Sequence, residues 1–461
     1  MSNERSELKL DFYFGKFGAV LPLASLLLGI FGLVFYGYTA AKTFWSAGVF
    51  SLTLAFLLAK DKKVFNDVVI KGLTNHLMAV MVCAFYLAGI TAQLLSDGGL
   101  VNGLLWFTSL INMGPEFVPL ISFLICVVIS VCTGTTGGTV SAVTPVMLPL
   151  AVSMGCDPSL IMGAILSGSF FGDNLAPVSD TTIASAYTQE VDVPKVVRSR
   201  LKYSIIAGIG AAVLYVFFGF HTLGANSSVV ELVEADAAKS LWLLLVPVFL
   251  VILMIRGMSL VPALISCNLF AIILELSLGV ITVDQLIGPG GIIIKGIEGM
   301  VFLTVFCVFI FALIGMLNAG GTFEWLIEKS THGIKSVRQA ELAGAGLVAL
   351  ITLMTAAATA AIVMCGPVLR RIFKRYDIAR DRGANILDGI ACGIGGVCFW
   401  NLSPMAAYSL AMSTGAVGED FFIMSAMPYS FHCILLIFVY LLAIITGYGR
   451  TFEKGTESKV F

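Results

Sequence analysis

Twelve long apolar runs follow one another along this chain of 461 residues, and they constrain its fold more than any other feature. A bilayer core about 30 Å thick requires roughly 20 apolar residues per spanning helix. The runs cover residues 17–40, 44–59, 77–95, 117–153, 158–188, 202–221, 240–256, 259–279, 299–317, 339–369, 386–415 and 425–447. Only 12% of the residues are charged, whereas soluble domains have about 25%. The sequence therefore predicts an all-α, polytopic membrane protein.

Composition and motifs exclude several function classes. The formal net charge is −1 and no basic domain stands out, so nucleic acid is not an expected partner. The ten cysteines form no C-x-x-C pair and give no sign of a zinc site or a disulfide framework. The apolar runs contain no H-E-x-x-H motif, G-x-S-x-G elbow or nucleotide-binding loop. We therefore expect no enzyme activity, no cofactor and no drive by ATP.

The distribution of Lys and Arg predicts how the runs cross the membrane. If the long runs 117–153 and 339–369 each enter and leave on one side while the other ten cross, 24 of the 27 cationic residues share a side. Only Lys42, Lys239 and Lys295 lie opposite. Because cytoplasmic loops carry such an excess, both termini are predicted to be cytoplasmic. The arrangement has ten full crossings and two hairpin-like insertions, although pairs of short full crossings at the long runs fit equally well.

The two halves of the chain resemble each other. The segment SVCTGTTGG around Thr133 corresponds to TLMTAAATA around Thr355, and Pro145 falls on Pro367 at the same offset in the numbering, 222. Self-similarity at a fixed offset is the sequence signature of duplication. We therefore predict an internal repeat, with interrupted helices at corresponding places.

A second match sets the predicted register near the end of each half. NLAP at residues 174–177 falls on NLSP at residues 401–404, an offset of 227 that implies five extra residues in the intervening loop. Each half has five full crossings, an odd number, so the second half is predicted to be inverted. Inverted repeats with broken helices are typical of secondary transporters, and a duplicated channel or scaffold is the alternative. The predicted repeats are residues 1–236 and 237–461.

Breaks in the apolar runs indicate where a site can form, because irregular backbone at membrane depth is tolerated only beside protein or a water-filled cavity. The break at residues 133–138 offers hydroxyls and glycine-exposed carbonyls, which suit a hard cation such as Na⁺. The break at residues 173–182 adds two carboxylates around Pro177. Helix halves that end there leave carbonyl ends for cations and N–H ends for anions. The predicted binding residues of these breaks are Thr133, Thr135, Thr136, Asp173, Asn174, Ser179, Asp180, Thr181 and Thr182.

Asp173, Asp180, Glu275 and Asp388 are the predicted intramembrane carboxylates. A charge at the bilayer centre costs between ~3 and ~10 kcal/mol or more, depending on the method. A buried Asp lowers that cost by binding a cation or by taking up a proton. One carboxylate that accepts either species, but not both, couples Na⁺ movement to H⁺ movement. Asp173 and Asp180 are the candidate Na⁺ ligands.

Each of these carboxylates has a structural alternative. Asp173 could cap a helix, and Asp180 could be the N-cap of the following half-helix, since Asp-Thr-Thr favours a helix start. Asp388 could pair with the basic loop at residues 370–382. Glu275 lies near the end of its run, where an interfacial position is expected.

The second half carries less charge at its breaks. Its first break, around Thr359, has little polar chemistry, and the offset of 227 places Trp400 opposite Asp173. Asn401 and Ser403 retain an amide and a hydroxyl. A cation site beside an asymmetric pocket for an organic substrate is therefore predicted, with Thr359, Trp400, Asn401, Ser403 and Asp388 as second-half candidates.

Two long segments carry a family resemblance. GSFFGDNLAPVSDTTIASA (168–186), preceded by TGTTGGTVSAVTPVMLPLA (133–151), resembles the signature of NhaC-type sodium/proton antiporters in the ion transporter superfamily. ATAAIVMCGPVLRRI (358–372) and ANILDGIACGIGG (384–396) are similar to the family's second-half segments. The resemblance implies a bacterial inner (cytoplasmic) membrane protein, elevator or rocking motion around the hairpins, and sodium-coupled exchange.

The sequence also departs from that family pattern. Members often carry Asn-Thr where this chain has Ala358-Thr359, and a Pro-aromatic segment where it has Phe399-Trp400-Asn401. The family includes exchangers of carboxylates such as malate and lactate, and others that resemble amino-acid carriers. The substrate consequently stays open at this point.

The predicted function is Na⁺/H⁺ antiport by alternating access at Asp173 and Asp180. The alternative is a sodium-coupled carrier or exchanger of a small organic solute, with Trp400, Asn401 and Ser403 lining its pocket. The expected partners are Na⁺, H⁺, the lipid bilayer and, under the alternative, the solute. Assembly as a homodimer is left open.

Overall fold

The fold is described from a computed structural model. It describes residues 9–36, 38, 41–74, 76–110, 114–177, 179–221, 235–331, 333–418 and 420–453. Within these ranges the chain is helical and has no strands, apart from two isolated bridges, Phe12 with Ala59 and Ile378 with Phe452. The predicted all-α class is therefore confirmed.

Twenty α-helices, α1 to α20, follow in chain order through the described ranges. They are Gly15–Phe35, Phe44–Leu58, Lys62–Leu73, His76–Asp97, Leu100–Leu110, Val118–Thr133, Thr136–Ser153, Pro158–Leu175, Asp180–Thr188, Val193–His221, Leu245–Ile255, Leu260–Leu278, Val283–Ile287, Ile292–Ala319, Thr322–Thr331, Val337–Thr355, Ala358–Arg375, Arg380–Val397, Leu402–Ser413 and Phe431–Thr446. Short 3₁₀ helices cover Ala41–Thr43, Pro115–Phe117, Ala235–Leu244 and Ile423–Tyr429.

The described part of the chain has nine helical segments that are long and apolar enough to cross a membrane. They become ten if Ile423–Tyr429 and Phe431–Thr446, which meet at a 51° bend, form one span. The predicted runs 44–59 and 240–256 correspond to shorter apolar helices, Phe44–Leu58 and Ala238–Met254. A polytopic membrane protein is thus confirmed, while the orientation of its termini stays a prediction.

All four predicted interruptions are present. The run 117–153 breaks after Thr133, where Gly134 adopts a left-handed conformation with φ of 68° and caps α6. The run 339–369 breaks after Thr355, where Ala356 adopts the same region with φ of 53°. Glycine enters this region without a steric penalty and alanine does not. The other two breaks separate α8 from α9 and α18 from α19.

The helix boundaries recur at one constant offset, which is the offset of 222 seen in the sequence. α7 and α17 have the same length, and their first residues, Thr136 and Ala358, are related by it. α8 and α18 are likewise of equal length, and the same offset relates their first residues, Pro158 and Arg380. The offset of 222 also relates the first residues of α9 and α19, which follow the next break. The boundaries support a duplication, whereas the inverted orientation and the predicted boundary after residue 236 stay predictions.

This constant offset shows that the predicted shift to 227 is wrong. Asn174 lies in the last turn of α8, whereas Asn401 is the N-cap of α19, so the two asparagines occupy different helical positions. Ser179, the N-cap of α9, is the true counterpart of Asn401. Asp173 therefore corresponds to Gly395 and not to Trp400. The short NLAP and NLSP match is a similarity of sequence between unequal sites.

The chain forms two compact units. The first comprises Met1–Cys83 and Phe302–Ile334, and the second comprises Ala84–Val301 and Lys335–Phe461. In the first unit α1 packs on α2, and the Lys16 Nζ donates to the Gly320 carbonyl at 2.6 Å. The second unit contains all four breaks and all of the candidate residues.

Close helix packing positions the breaks of the second unit. A Cβ on Gly168 or Gly172 of α8 would overlap Phe123 or Ser130 of α6, so the two helices approach closely at both points. Nearby, the rings of Phe123 and Tyr215 lie 5.3 Å apart in the buried core of α6, α8 and α10. This packing fixes the end of α8, where Asp173 is located.

Candidate functional site

Two buried carboxylates form the centres of a polar network inside the second unit. Asp173 lies in the last turn of α8, and Asp388 lies in the middle of α18. Their surroundings differ, because one carboxylate has hydroxyl partners and the other has a guanidinium.

The Asp173 centre joins three helix ends. Thr136, the first residue of α7, donates its hydroxyl to Asp173 Oδ2 at 2.6 Å. Ser179, the N-cap of α9, donates its hydroxyl to Asp173 Oδ1. The N-termini of α7 and α9 therefore meet at this carboxylate, where the positive ends of the helix dipoles favour negative charge. Among the described residues no Lys, Arg or His forms an ion pair with Asp173.

A chain of hydrogen bonds links the two centres. The hydroxyls of Ser179 and Thr181 lie 3.0 Å apart. The Cys392 thiol lies 3.8 Å from Thr181 Oγ1 and donates to Asp388 Oδ1 at 3.1 Å. The linking side chains of Ser179, Thr181 and Cys392 are all buried.

The Asp388 centre is a buried ion pair with Arg200 of α10. Both side chains are 0% exposed. The Arg200 NH1 pairs with Asp388 Oδ2, donates to the carbonyl of Asn174 and donates to Thr182 Oγ1 at 2.9 Å. A buried pair is tolerated when further hydrogen bonds satisfy both ions. Arg200 thus occupies the carbonyl end of the broken helix α8.

Neutral groups form further hydrogen bonds with both ions of this pair. Arg200 Nε donates to Asn385 Oδ1 at 3.1 Å, and NH2 donates to Ser185 Oγ at 3.3 Å. Asp388 accepts from Asn174 Nδ2 at 3.4 Å and from the hydroxyls of Thr182 and Ser185 at 3.3 and 3.4 Å. The side chains of α8, α9, α10 and α18 are therefore held together around one pair of charges.

The network assembles half of the predicted candidates. These are Thr136, Asp173, Asn174, Ser179, Thr181, Thr182 and Asp388. Asp388 does not pair with the basic loop at 370–382, which was its predicted structural alternative. Its ion-pair partner is Arg200.

Three first-half candidates lie outside the network. Asp180 is exposed in the first turn of α9 and forms no hydrogen bond or ion pair within the described residues. Its alternative role as N-cap is taken by Ser179. Thr135 is the N-cap of α7 and accepts from Gly138 N at 3.4 Å. Thr133 is half-buried at the end of α6, and its hydroxyl has no hydrogen-bond partner in the described part of the chain. Their proposed binding roles stay predictions.

The other second-half candidates, Thr359, Trp400, Asn401 and Ser403, form no hydrogen bond with either carboxylate in the described ranges. Thr359 is half-buried in the first turn of α17. Trp400 donates Nε1 to the Leu353 carbonyl at 2.9 Å. Asn401 accepts from Ser403 N at 3.2 Å, while its buried Nδ2 has no hydrogen-bond partner among the described residues.

The sequence prediction missed Arg200, Ser185 and Cys392. It places Arg200 in the loop between the apolar runs 158–188 and 202–221, although the residue lies in the continuous helix Val193–His221. Glu275, expected at an interface, is fully buried, and neither of its carboxylate oxygens has a hydrogen-bond partner within the described ranges. The only available signal for Arg200 was its position two residues before the apolar run 202–221.

The Asp173 centre suits an alkali cation better than a transition metal. The described residues contain no group of three or more His, Cys, Asp or Glu side chains that could hold a metal ion. Carboxylate and hydroxyl oxygens are hard ligands, and a hydroxyl can donate to a carboxylate or offer its lone pairs to a cation. This centre can therefore bind either a proton or a small cation.

Comparisons with known proteins identify a family and several relatives. The model of the Na⁺/H⁺ antiporter family matches residues 13–220 and 227–447. The chain is 30% identical over 221 residues to the malate-2H⁺/Na⁺-lactate antiporter of Bacillus subtilis (strain 168), which is 47% of each chain. That match therefore spans about half of this relative's length.

Two further relatives match over most of their length. The Na⁺/H⁺ antiporter NhaC of Alkalihalophilus pseudofirmus is 21% identical over 423 residues, covering 86% of this chain and 88% of the relative. The arginine/ornithine antiporter ArcD of Halobacterium salinarum is 23% identical over 472 aligned positions, covering 95% and 94%. The similar proteins thus share antiport and differ in what they exchange.

Proposed function

The chain belongs to the Na⁺/H⁺ antiporter family, and from this premise we propose that it exchanges Na⁺ for H⁺ at Asp173 by alternating access. Family membership makes it a secondary antiporter of the membrane and not an enzyme. The ions, the exchange site and the placement in a bacterial inner membrane with cytoplasmic termini are our proposal.

One observation carries the proposal. Asp173 is buried, and its partners are the neutral hydroxyls of Thr136 and Ser179. A carboxylate without a cation is expensive in the membrane interior. Either H⁺ or Na⁺ neutralises it, and the two compete for the same oxygens. Competition for one carboxylate is sufficient to couple the two ions in opposite directions.

The hydroxyls give the site a way to accept both ions. When Asp173 is ionised and no Na⁺ is bound, Thr136 and Ser179 donate to it, as their positions here indicate. When Na⁺ enters, the same hydroxyl oxygens turn their lone pairs toward the ion. Both residues lie at helix starts next to breaks, so motion at the breaks would open or close the site.

Sodium-driven proton movement in proteoliposomes tests the proposal. An imposed Na⁺ gradient should move protons when no organic solute is present, and choline in place of Na⁺ should abolish the signal. Asp173→Asn should abolish exchange while thermal stability shows that the protein stays folded. Asp192→Asn is the matched control, because Asp192 is exposed and lies outside the network, and it should retain most of the activity. Exchange that persists in Asp173→Asn would contradict the proposal.

A second candidate function is exchange of a small organic solute. It is supported by the names of two relatives, which carry malate and lactate or arginine and ornithine. The buried Asn401 Nδ2, which has no partner among the described residues, is a donor that a substrate acceptor could satisfy. Solute counterflow distinguishes the candidates: Na⁺-dependent uptake of a carboxylate or an amino acid without sodium-driven proton movement would favour this second function.

A further inference from the structure

The two acidic centres have similar oxygen ligands but different occupants. Around Asp388 lie the Asn174 carbonyl and the hydroxyls of Thr182 and Ser185. A carboxylate, a helix-end carbonyl and two hydroxyls are the kind of ligands that hold Na⁺ in transporters with broken helices. The guanidinium of Arg200 contacts all four of these groups.

We propose that Arg200 is a tethered cation that fills a second alkali-cation site at Asp388. This inference rests on the proposed exchange at Asp173. It predicts that each chain binds one Na⁺. Arg200 is a positioning and specificity residue here. It contacts the oxygens that would otherwise bind Na⁺ and so keeps Na⁺ out of this second site.

The geometry favours occupation over simple bridging. NH1 alone reaches the carboxylate, the carbonyl of Asn174 and the hydroxyl of Thr182. That nitrogen therefore lies where a single cation would meet the same three oxygens. Nε and NH2 point to Asn385 and Ser185 and hold the group in place. A guanidinium cannot lose its charge in a protein, so the site stays filled through every protonation step.

The charges around this pair are consistent with a closed site. Asp388 is the only acidic group that forms an ion pair with Arg200 in the described residues. Asp173 is connected to it through Ser179, Thr181 and Cys392, which are neutral. One centre therefore has its charge balanced permanently, and the other has to be balanced by a mobile ion.

Sodium binding by the purified full-length chain tests the inference. Radioactive Na⁺ binding at alkaline pH should give one ion per chain for the wild type. Arg200→Gln leaves Asp388 without its cation and should bind two. Arg200→Gln combined with Asp388→Asn should return to one. Arg198→Gln, an exposed arginine of the same helix, is the matched control and should stay at one.

The outcomes are separable from those of the proposed function. Two ions in the wild type, or one ion in a folded Arg200→Gln variant, would overturn the inference while leaving Na⁺/H⁺ exchange intact. If Arg200→Gln does not fold, Asp173→Asn decides, because it should bind no Na⁺ and residual binding would show a second open site. Absence of Na⁺ binding and of sodium-driven proton movement in the wild type would instead refute the proposed function.

Discussion

Separating Arg200 from Asp388 should destabilise the protein strongly and in a non-additive way. Both side chains are completely buried, and removing one partner of such a pair costs about 3–5 kcal/mol, because the remaining charge is uncompensated. Arg200→Gln and Asp388→Asn should each lose about this much stability. The double variant removes both charges, so it should lose less than the sum, with a coupling of about 2–3 kcal/mol.

Equilibrium unfolding in mixed micelles measures the four members of this cycle. Arg198→Gln again serves as the control, since its exposed side chain should change stability by less than about 0.5 kcal/mol. The cycle should also depend on salt. If Na⁺ enters the vacated site in Arg200→Gln, NaCl should restore stability that choline chloride does not, by about 2.7 kcal/mol at 100 times the dissociation constant.

Two results would refute this reasoning. Single variants that add up within about 0.5 kcal/mol would show that the two charges do not interact across a dry contact. Equal stabilisation of Arg200→Gln by Na⁺ and choline would show that the space around Asp388 is not a cation site. Loss of folding in both single variants with recovery in the double variant would still support the pair.

Three further perturbations follow from the structure. Ala356→Gly should stabilise the protein by about 1 kcal/mol and Gly134→Ala should destabilise it by about 1–2 kcal/mol in thermal unfolding, because both positions are left-handed. Gly172→Ala should reduce exchange because a Cβ there would overlap Ser130, whereas Gly346→Ala in α16 meets open space and should not. Desolvation raises the pKa of Glu453, but hydrogen bonds from Arg380 and Arg370 outweigh it and lower that pKa below its ordinary 4.5. The contribution of Glu453 to stability, within about 1 kcal/mol, should therefore be complete at neutral pH and lost as the pH falls through the lowered pKa, and Glu453→Gln should remove this pH dependence.

The positions of the breaks could be predicted from the sequence. Clusters of glycine, proline and hydroxyl residues within an apolar run indicate irregular backbone, which is tolerated at membrane depth only beside protein or a water-filled cavity. Those breaks positioned Asp173, Thr136 and Ser179 correctly as neighbours. Arg200 was missed because it is one of four cationic residues between 195 and 202, a cluster that is typical of a cytoplasmic loop. Its burial follows from the packing of α10 against α8 and α18, and a sequence pattern does not reveal such long-range packing.

The register error has a different physical cause. Three identical residues in the short segments NLAP and NLSP suggested the wrong alignment, although helix boundaries are set by capping residues and not by sequence identity. Asn401 begins a helix as Ser179 does, so the correct counterpart of Asp173 is Gly395. This correction changes the chemistry assigned to the second half, since its equivalent of the exchange carboxylate is a residue without a side chain.

The corrected register predicts that equivalent positions of the two halves contribute unequally to exchange. Thr136 donates to Asp173, and its counterpart in the second half is Ala358, opposite Gly395. In the proposed exchange the Thr136 hydroxyl is also a ligand of the bound Na⁺, and an interaction with a charged group contributes about 1.5–3 kcal/mol. Thr136→Ala should therefore raise the Na⁺ concentration for half-maximal exchange by roughly 10- to 100-fold. Ala358→Thr adds a hydroxyl at a position whose counterpart of Asp173 is Gly395, which has no carboxylate. It should therefore leave that Na⁺ concentration unchanged. Proton movement at a series of Na⁺ concentrations measures both variants, with thermal unfolding as the folding control. Equal effects of the two substitutions would mean that the second half carries an exchange site of its own, and the load per cycle would then be set by both halves together.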